Sequence, residues 1–160
     1  MREKISCDHD YIAELALNCE KAIDNVIFEF RDGGENWSNR AGGYLCIADG
    51  KNGLPILVMM VGEVPLNKAS KCLELCQEKA ARLADHTSHK SSWQSRDEEK
   101  KRFAGAIRFR DLIFSFSGLP ELGDEVAMVL AARYVDGDSF LPSAEQIVKL
   151  SGNPYWDSFC

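Results

Sequence analysis

Four short apolar runs, grouped into two pairs by turn-forming residues, constrain this chain more than any other feature. Gly43 to Ala48 and Leu54 to Val61 flank Asp49-Gly50-Lys51-Asn52-Gly53, whose glycines and asparagine supply the positive φ angles a hairpin loop needs. Phe103 to Phe109 and Leu112 to Ser117 are separated only by Arg110-Asp111, the spacing of a tight turn. Two β-hairpins follow, and helical patterns surround them. Tyr11, Ile12, Leu15, Ala16, Cys19, Ala22, Ile23 and Val26 recur in steps of three and four, one buried helix face, with Asp8 or Asp10 as its cap. Val26 to Phe30 reads as a short first strand ahead of the turn-rich stretch 31–39. Pro65 opens a second helix, Leu66 to Ala84, with Ala69, Cys72, Leu73, Cys76, Ala80 and Leu83 on the side that packs over the first hairpin. Pro120 opens a third helix that ends at Asp136-Gly137-Asp138. A short fourth, Ser143 to Leu150, begins with a Ser-x-x-Gln capping pattern and stops at Gly152, leaving an aromatic tail to dock. The expected class is α+β, a central antiparallel sheet of two hairpins packed against helices.

Length and charge narrow the function classes. A chain of 160 residues that is 45% hydrophobic and 28% charged fills one ordinary core, so a single domain, 1–160, is expected. A net charge of −6 offers no general field for nucleic-acid phosphates or an anionic membrane surface. No apolar run approaches the ~20 residues that span a bilayer, and Met1 to Asp8 lacks the apolar centre of a signal peptide. A cytoplasmic protein with reduced cysteines is the expectation. Cys72 and Cys76 share a helix face, where small core packing is the simpler reading than a soft-metal clamp.

Three places carry candidate chemistry. In the polar insert 85–102, the run from Ser91 to Asp97 holds Trp93, Ser95 and Arg96, an aromatic plate, a hydroxyl and a guanidinium that suit a planar ligand with a carboxylate or phosphate. Ser117-Gly118-Leu119-Pro120 turns from strand into helix, where exposed amides can hold an anion. There Glu121, Asp124 and Glu125 already answer the helix dipole, and Gly118 serves the sharp turn. His86 and His89, three apart beside Asp85, are the metal candidates, against a bland reading as a polar helix end. Arg108 and Arg110 flank an apolar strand and read as pointing outward. No phosphate-binding glycine loop, nucleophile elbow or Ser-His-Asp set is legible, so catalytic residues are not assigned.

Gly53-Leu54-Pro55-Ile56, Gly62-Glu63-Val64-Pro65 leading into Gln77-Glu78-Lys79-Ala80-Ala81, then Gly105-Ala106-Ile107 and Ser117-Gly118-Leu119-Pro120-Glu121, resemble in their order the haem-binding-protein-like (HbpS/GlcG-like) domains. The resemblance covers roughly 10–135, leaving 136–160 as a C-terminal extension with the short helix. It implies a two-layer profilin-like fold, assembly as a homo-oligomer, and haem or another small ligand in some members. The expected function is therefore a non-enzymatic domain that binds a small, planar anionic ligand, with haem as one cofactor candidate. A ligand-free homo-oligomeric scaffold is the alternative, and a small enzyme using His86 or His89 a further one. The insert 85–102 departs from the family pattern.

Overall fold

The computed structural model describes residues 4–160. Its elements run α1 (His9–Phe30), β1 (Gly42–Asp49), β2 (Pro55–Gly62), α2 (Leu66–Asp85), β3 (Ala106–Phe109), β4 (Leu112–Ser117), α3 (Glu121–Asp136) and α4 (Leu141–Ser151). The two expected hairpins join through β1 and β4 into one antiparallel sheet of order β2-β1-β4-β3. The α+β class, with its sheet against helices, is as the periodicities predict.

Alternation along the strands sorts the core. Leu45, Ile47, Ile107, Phe109, Phe114 and Phe116 face α1 and α3 in one cluster, while Cys46, Ala48, Ala106 and Ile113 face Cys76, Ala80, Leu83 and Ala84 of α2 in another. Helix α2 therefore covers the sheet on the face opposite α1 and α3. Burying these chains supplies most of the driving force, at roughly 1.5–3 kcal/mol for each large side chain.

Two local expectations change, and one choice is resolved. Val26 to Phe30 is the last part of α1, because Val26 and Phe30 continue the three- and four-residue steps and Phe30 packs on Trp37 and Tyr155, with ring centroids at 5.2 and 4.8 Å. Packing overrides the β-branched composition there. Asp8 is the cap of α1, accepting from the Asp10 and Tyr11 amides. Helix α4 starts at Leu141, directly after a 3-10 turn over Gly137–Phe140, so Ser143 lies inside it and caps nothing. The aromatic tail does dock: Trp156 is buried, and Phe159 meets Phe30 edge-on at 5.9 Å.

The insert between α2 and β3 is irregular but tethered. Arg82 of α2 is buried and donates to the Ser92 and Phe103 carbonyls at 2.8 and 2.6 Å and to Ser95 Oγ at 2.6 Å. Arg108 points to backbone rather than outward, donating to the carbonyls of Leu83, His86, His89 and Gly50. Leu83 is in the last turn of α2, His86 and His89 follow it, and Gly50 is in the β1–β2 loop, so one guanidinium fork ties the end of α2 and the start of the insert to the first hairpin. Arg110 pairs with Asp136 and Tyr11, tying the second hairpin to α1 and α3.

Candidate functional site

At the end of the sheet where β1 begins and β4 finishes, α2, the β4–α3 turn and the end of the insert enclose a cleft of about 430 Å³. Its walls carry Arg40, Lys68, Lys71 and Lys79 beside an apolar side made by Leu75, Phe103, Leu119 and Pro120. Ser117, Gly118, Glu121 and Asp124 form the side contributed by the strand-to-helix turn. Two further depressions, about 350 and 490 Å³, lie at the opposite end among the hairpin loops and residues 4–12. There Arg110 is already engaged by Asp136 and Tyr11.

The floor of the cleft is an ion pair. Lys79 Nζ donates to Asp124 Oδ2 and to the Phe116 carbonyl, both at 2.9 Å, and the two side chains are 2% and 3% exposed. Asp124 Oδ1 accepts the Leu119 amide at 2.8 Å, which fixes the turn as well as the pair. Burial raises the Asp124 carboxyl to about 6, against the opposing pull of Lys79. Gly105, at φ +133°, makes room for the pair: a Cβ there would stand 2.7 Å from Lys79 Nζ and 3.0 Å from the Asp124 Cβ. Gly118 is needed for close approach rather than for its φ, since a Cβ would stand 2.2 Å from the Gly42 carbonyl oxygen. Asp124 and Glu125 are thus not solvated charges answering the helix dipole. Glu125 turns the other way and accepts from Ser91 and Ser151 at 2.5 Å and Asn153 at 2.8 Å, joining insert, α3 and C-terminal extension; burial raises its carboxyl.

Charge counting separates the floor from the walls. Lys79 is neutralised by Asp124, but among the described residues Arg40, Lys68 and Lys71 have no acidic partner within 4.0 Å. Arg40 donates to the Gly118 carbonyl at 3.0 Å, which aims a guanidinium at the turn. Lys68 and Lys71 are exposed on the first turns of α2. The cleft thus concentrates three uncompensated cations on a chain whose net charge is −6.

The sequence candidates separate into four groups. Ser117 and Gly118 line the cleft. Arg96 lies at its lip, where its Nε donates to Glu121 at 2.5 Å and its guanidinium lies 5.2 Å from the Trp93 ring centre. Ser95 is held inside the insert by Arg82. His86 and His89 are at the far end of α2, their rings stacked at 4.6 Å and 13°. Lone pairs in nearly parallel planes do not converge on one ion, and among the described residues no group of three His, Cys, Asp or Glu is placed to hold a metal. His86 Nδ1 is engaged with the Arg82 carbonyl at 2.8 Å, while burial first, then the neighbouring His86 and Arg108, lower the His89 pKa.

The chain matches no family model, no curated protein and no solved structure. The cleft therefore stands on its own geometry.

Arg40, Lys68, Lys71, Lys79 and Asp124 are the cleft residues that sequence reasoning missed as a site. For Lys79 a signal existed: it lies three residues after Cys76 and seven after Cys72, on the face already assigned to packing. A lysine on that stripe needs a buried anion. Arg40 and Lys68 are 28 positions apart in sequence and meet only because β1 returns beside α2, so no local pattern pairs them.

Among the described residues no helix is long and apolar enough to cross a membrane.

Proposed function

We propose that the protein is a non-enzymatic small-ligand-binding domain of the haem-binding-protein-like, profilin-like class, and that the cleft takes an organic anion with two or more negative charges. The observation that carries this reading is the set of three uncompensated cations facing an apolar wall. Cations in a partly enclosed, low-dielectric space attract an anion more strongly than the same cations on an open surface. Leu75, Phe103, Leu119 and Pro120 offer the body of such a ligand an apolar surface. The chemical class includes planar dicarboxylates, haem among them. Binding rather than catalysis is favoured because Lys79 and Asp124 are already committed to one another and to backbone groups.

Calorimetric titration with acetate, phosphate and pyrophosphate tests the charge requirement. Affinity should rise along that series and fall with added salt. The K68A/K71A variant should bind pyrophosphate at least about tenfold more weakly. Haem should give a saturable Soret shift that weakens in the same variant. Absence of binding to all four probes would overturn the reading.

A second reading, homo-oligomer formation, is favoured by one observation. Edge strand β2, Pro55–Gly62, has no charged residue, and Met60 on it and Leu66 beyond it are 53% and 94% exposed. Natural edge strands usually carry charges or cover, so a second copy of the chain is the proposed partner here. Sedimentation should give a dimer that M60K converts to monomer; a wild-type monomer at high concentration would dismiss it.

A further inference from the structure

The mouth of the cleft contains an acid where its ligand needs cations. Glu121, in the first turn of α3, lines the cleft together with Arg40, Lys68 and Lys71. Left alone, its carboxylate would repel an incoming anion and draw the lysines toward itself. It is not left alone: Arg96 Nε donates to Glu121 Oε1 at 2.5 Å, and Arg96 reaches Glu98 at 3.6 Å on its other side. The Trp93 ring, 5.2 Å from the guanidinium, adds a cation–π contact that orients it. Trp93 is in turn fixed by the insert, where its amide donates to Ser91 Oγ and the neighbouring Ser92 and Ser95 are bound by Arg82. The insert thus delivers one positive charge to one position, the lip acid.

We propose that Arg96 is a specificity-determining positioning residue: it keeps the cleft selective for anions by neutralising Glu121, without itself touching the ligand. This inference rests on the anion-binding reading of the cleft. It gives the aromatic and guanidinium pair of the insert a role different from the stacking and clamping that their types suggest. Trp93 is not among the residues lining the cleft, and Arg96 meets the cleft only through Glu121.

Charge arithmetic fixes the order of four proteins. Relative to wild type, R96Q shifts the lip charge by −1, E121Q by +1 and R96Q/E121Q by zero, and the exposed Glu98, common to all four, leaves that order unchanged. The glutamine at position 96 retains part of the stem over Trp93, so the loop keeps its packing. With pyrophosphate as the probe in calorimetry at low salt, R96Q should bind about tenfold more weakly than wild type and E121Q more tightly. The double variant should lie within about threefold of wild type. Circular dichroism melts of all four proteins establish that they are folded. If the double variant is as weak as R96Q, Arg96 contacts the ligand itself and the inference is overturned. If R96Q binds like wild type, it is overturned as well. In both cases wild-type binding leaves the cleft reading standing, whereas failure of all four to bind pyrophosphate removes the cleft reading and this inference together.

Discussion

Replacing Lys79 with methionine is the sharpest test of the ion pair beneath the cleft. Methionine keeps most of the aliphatic stem and its volume, so the change is chiefly the loss of one buried charge. Asp124 would retain the Leu119 amide as a hydrogen-bond donor but lose the cation at 2.9 Å. Breaking a buried pair from one side typically costs about 3–5 kcal/mol, because the remaining charge is buried uncompensated. The loss should depend on pH in a definite way. In the wild-type chain burial raises the Asp124 carboxyl from 3.8 to about 6, so its contribution is fullest below 3.8 and lost as pH rises through about 6. Without Lys79 the same carboxyl is pushed higher still. Below pH about 6 it is protonated in both proteins, and their stability difference should be flat. Above that pH the wild-type carboxyl ionises while the variant stays protonated, so the difference should widen by about 1.4 kcal/mol per pH unit. Urea unfolding followed by circular dichroism from about pH 5 to about pH 8 measures this directly. The companion K79M/D124L should lose the slope and regain most of the stability. A pH-independent difference, or one below about 1 kcal/mol at pH 8, would refute the reasoning.

Two further outcomes follow from the same packing. Glu125→Ala removes the acceptor shared by Ser91, Ser151 and Asn153 and should cost about 3 kcal/mol in urea unfolding, and an effect below about 1 kcal/mol would count against a joint between insert and C-terminal extension. Thiol titration of the native protein should modify the exposed Cys7 and Cys160 quickly and half-buried Cys72 slowly, leaving Cys19, Cys46 and Cys76 until denaturant is added. Burial raises all three of those thiols, Cys46 to about 11 and Cys76 to about 12, so rapid native reaction of any of them would contradict the core assignment.

The elements legible in the sequence were those whose signal is local. Apolar runs at 43–48 and 54–61 bounded by turn formers, and three- and four-residue steps in α1 and α2, are carried by each segment within itself. The end of α1 was not legible, since Val26 to Phe30 satisfies both a strand composition and a helix period, and only Trp37, Tyr155 and Phe159 decide between them. The Ser117-Gly118 turn was legible as a strand-to-helix junction lining a site. Its cationic partners were not, because charge on a helix reads locally as a solvated face. Asp124 and Glu125 show the same ambiguity: adjacent acids in one helical turn, one serving the cleft and the other tying down the C-terminal extension. Arg82 and Arg108 read as surface charges until the insert wraps over them.

The insert has one more effect, on the rim of the sheet. Ser91 bridges to Ile107, and the Arg108 amide donates to the Lys90 carbonyl at 3.0 Å, so chain already lies along the outer side of β3. β2, at the opposite rim, has no such cover among the strands of the sheet. Among the described residues the sheet therefore has a valence of one. The proposed pairing through β2 would use that one open rim in each copy, so growth by edge addition would stop at a closed pair rather than propagate into a fibre.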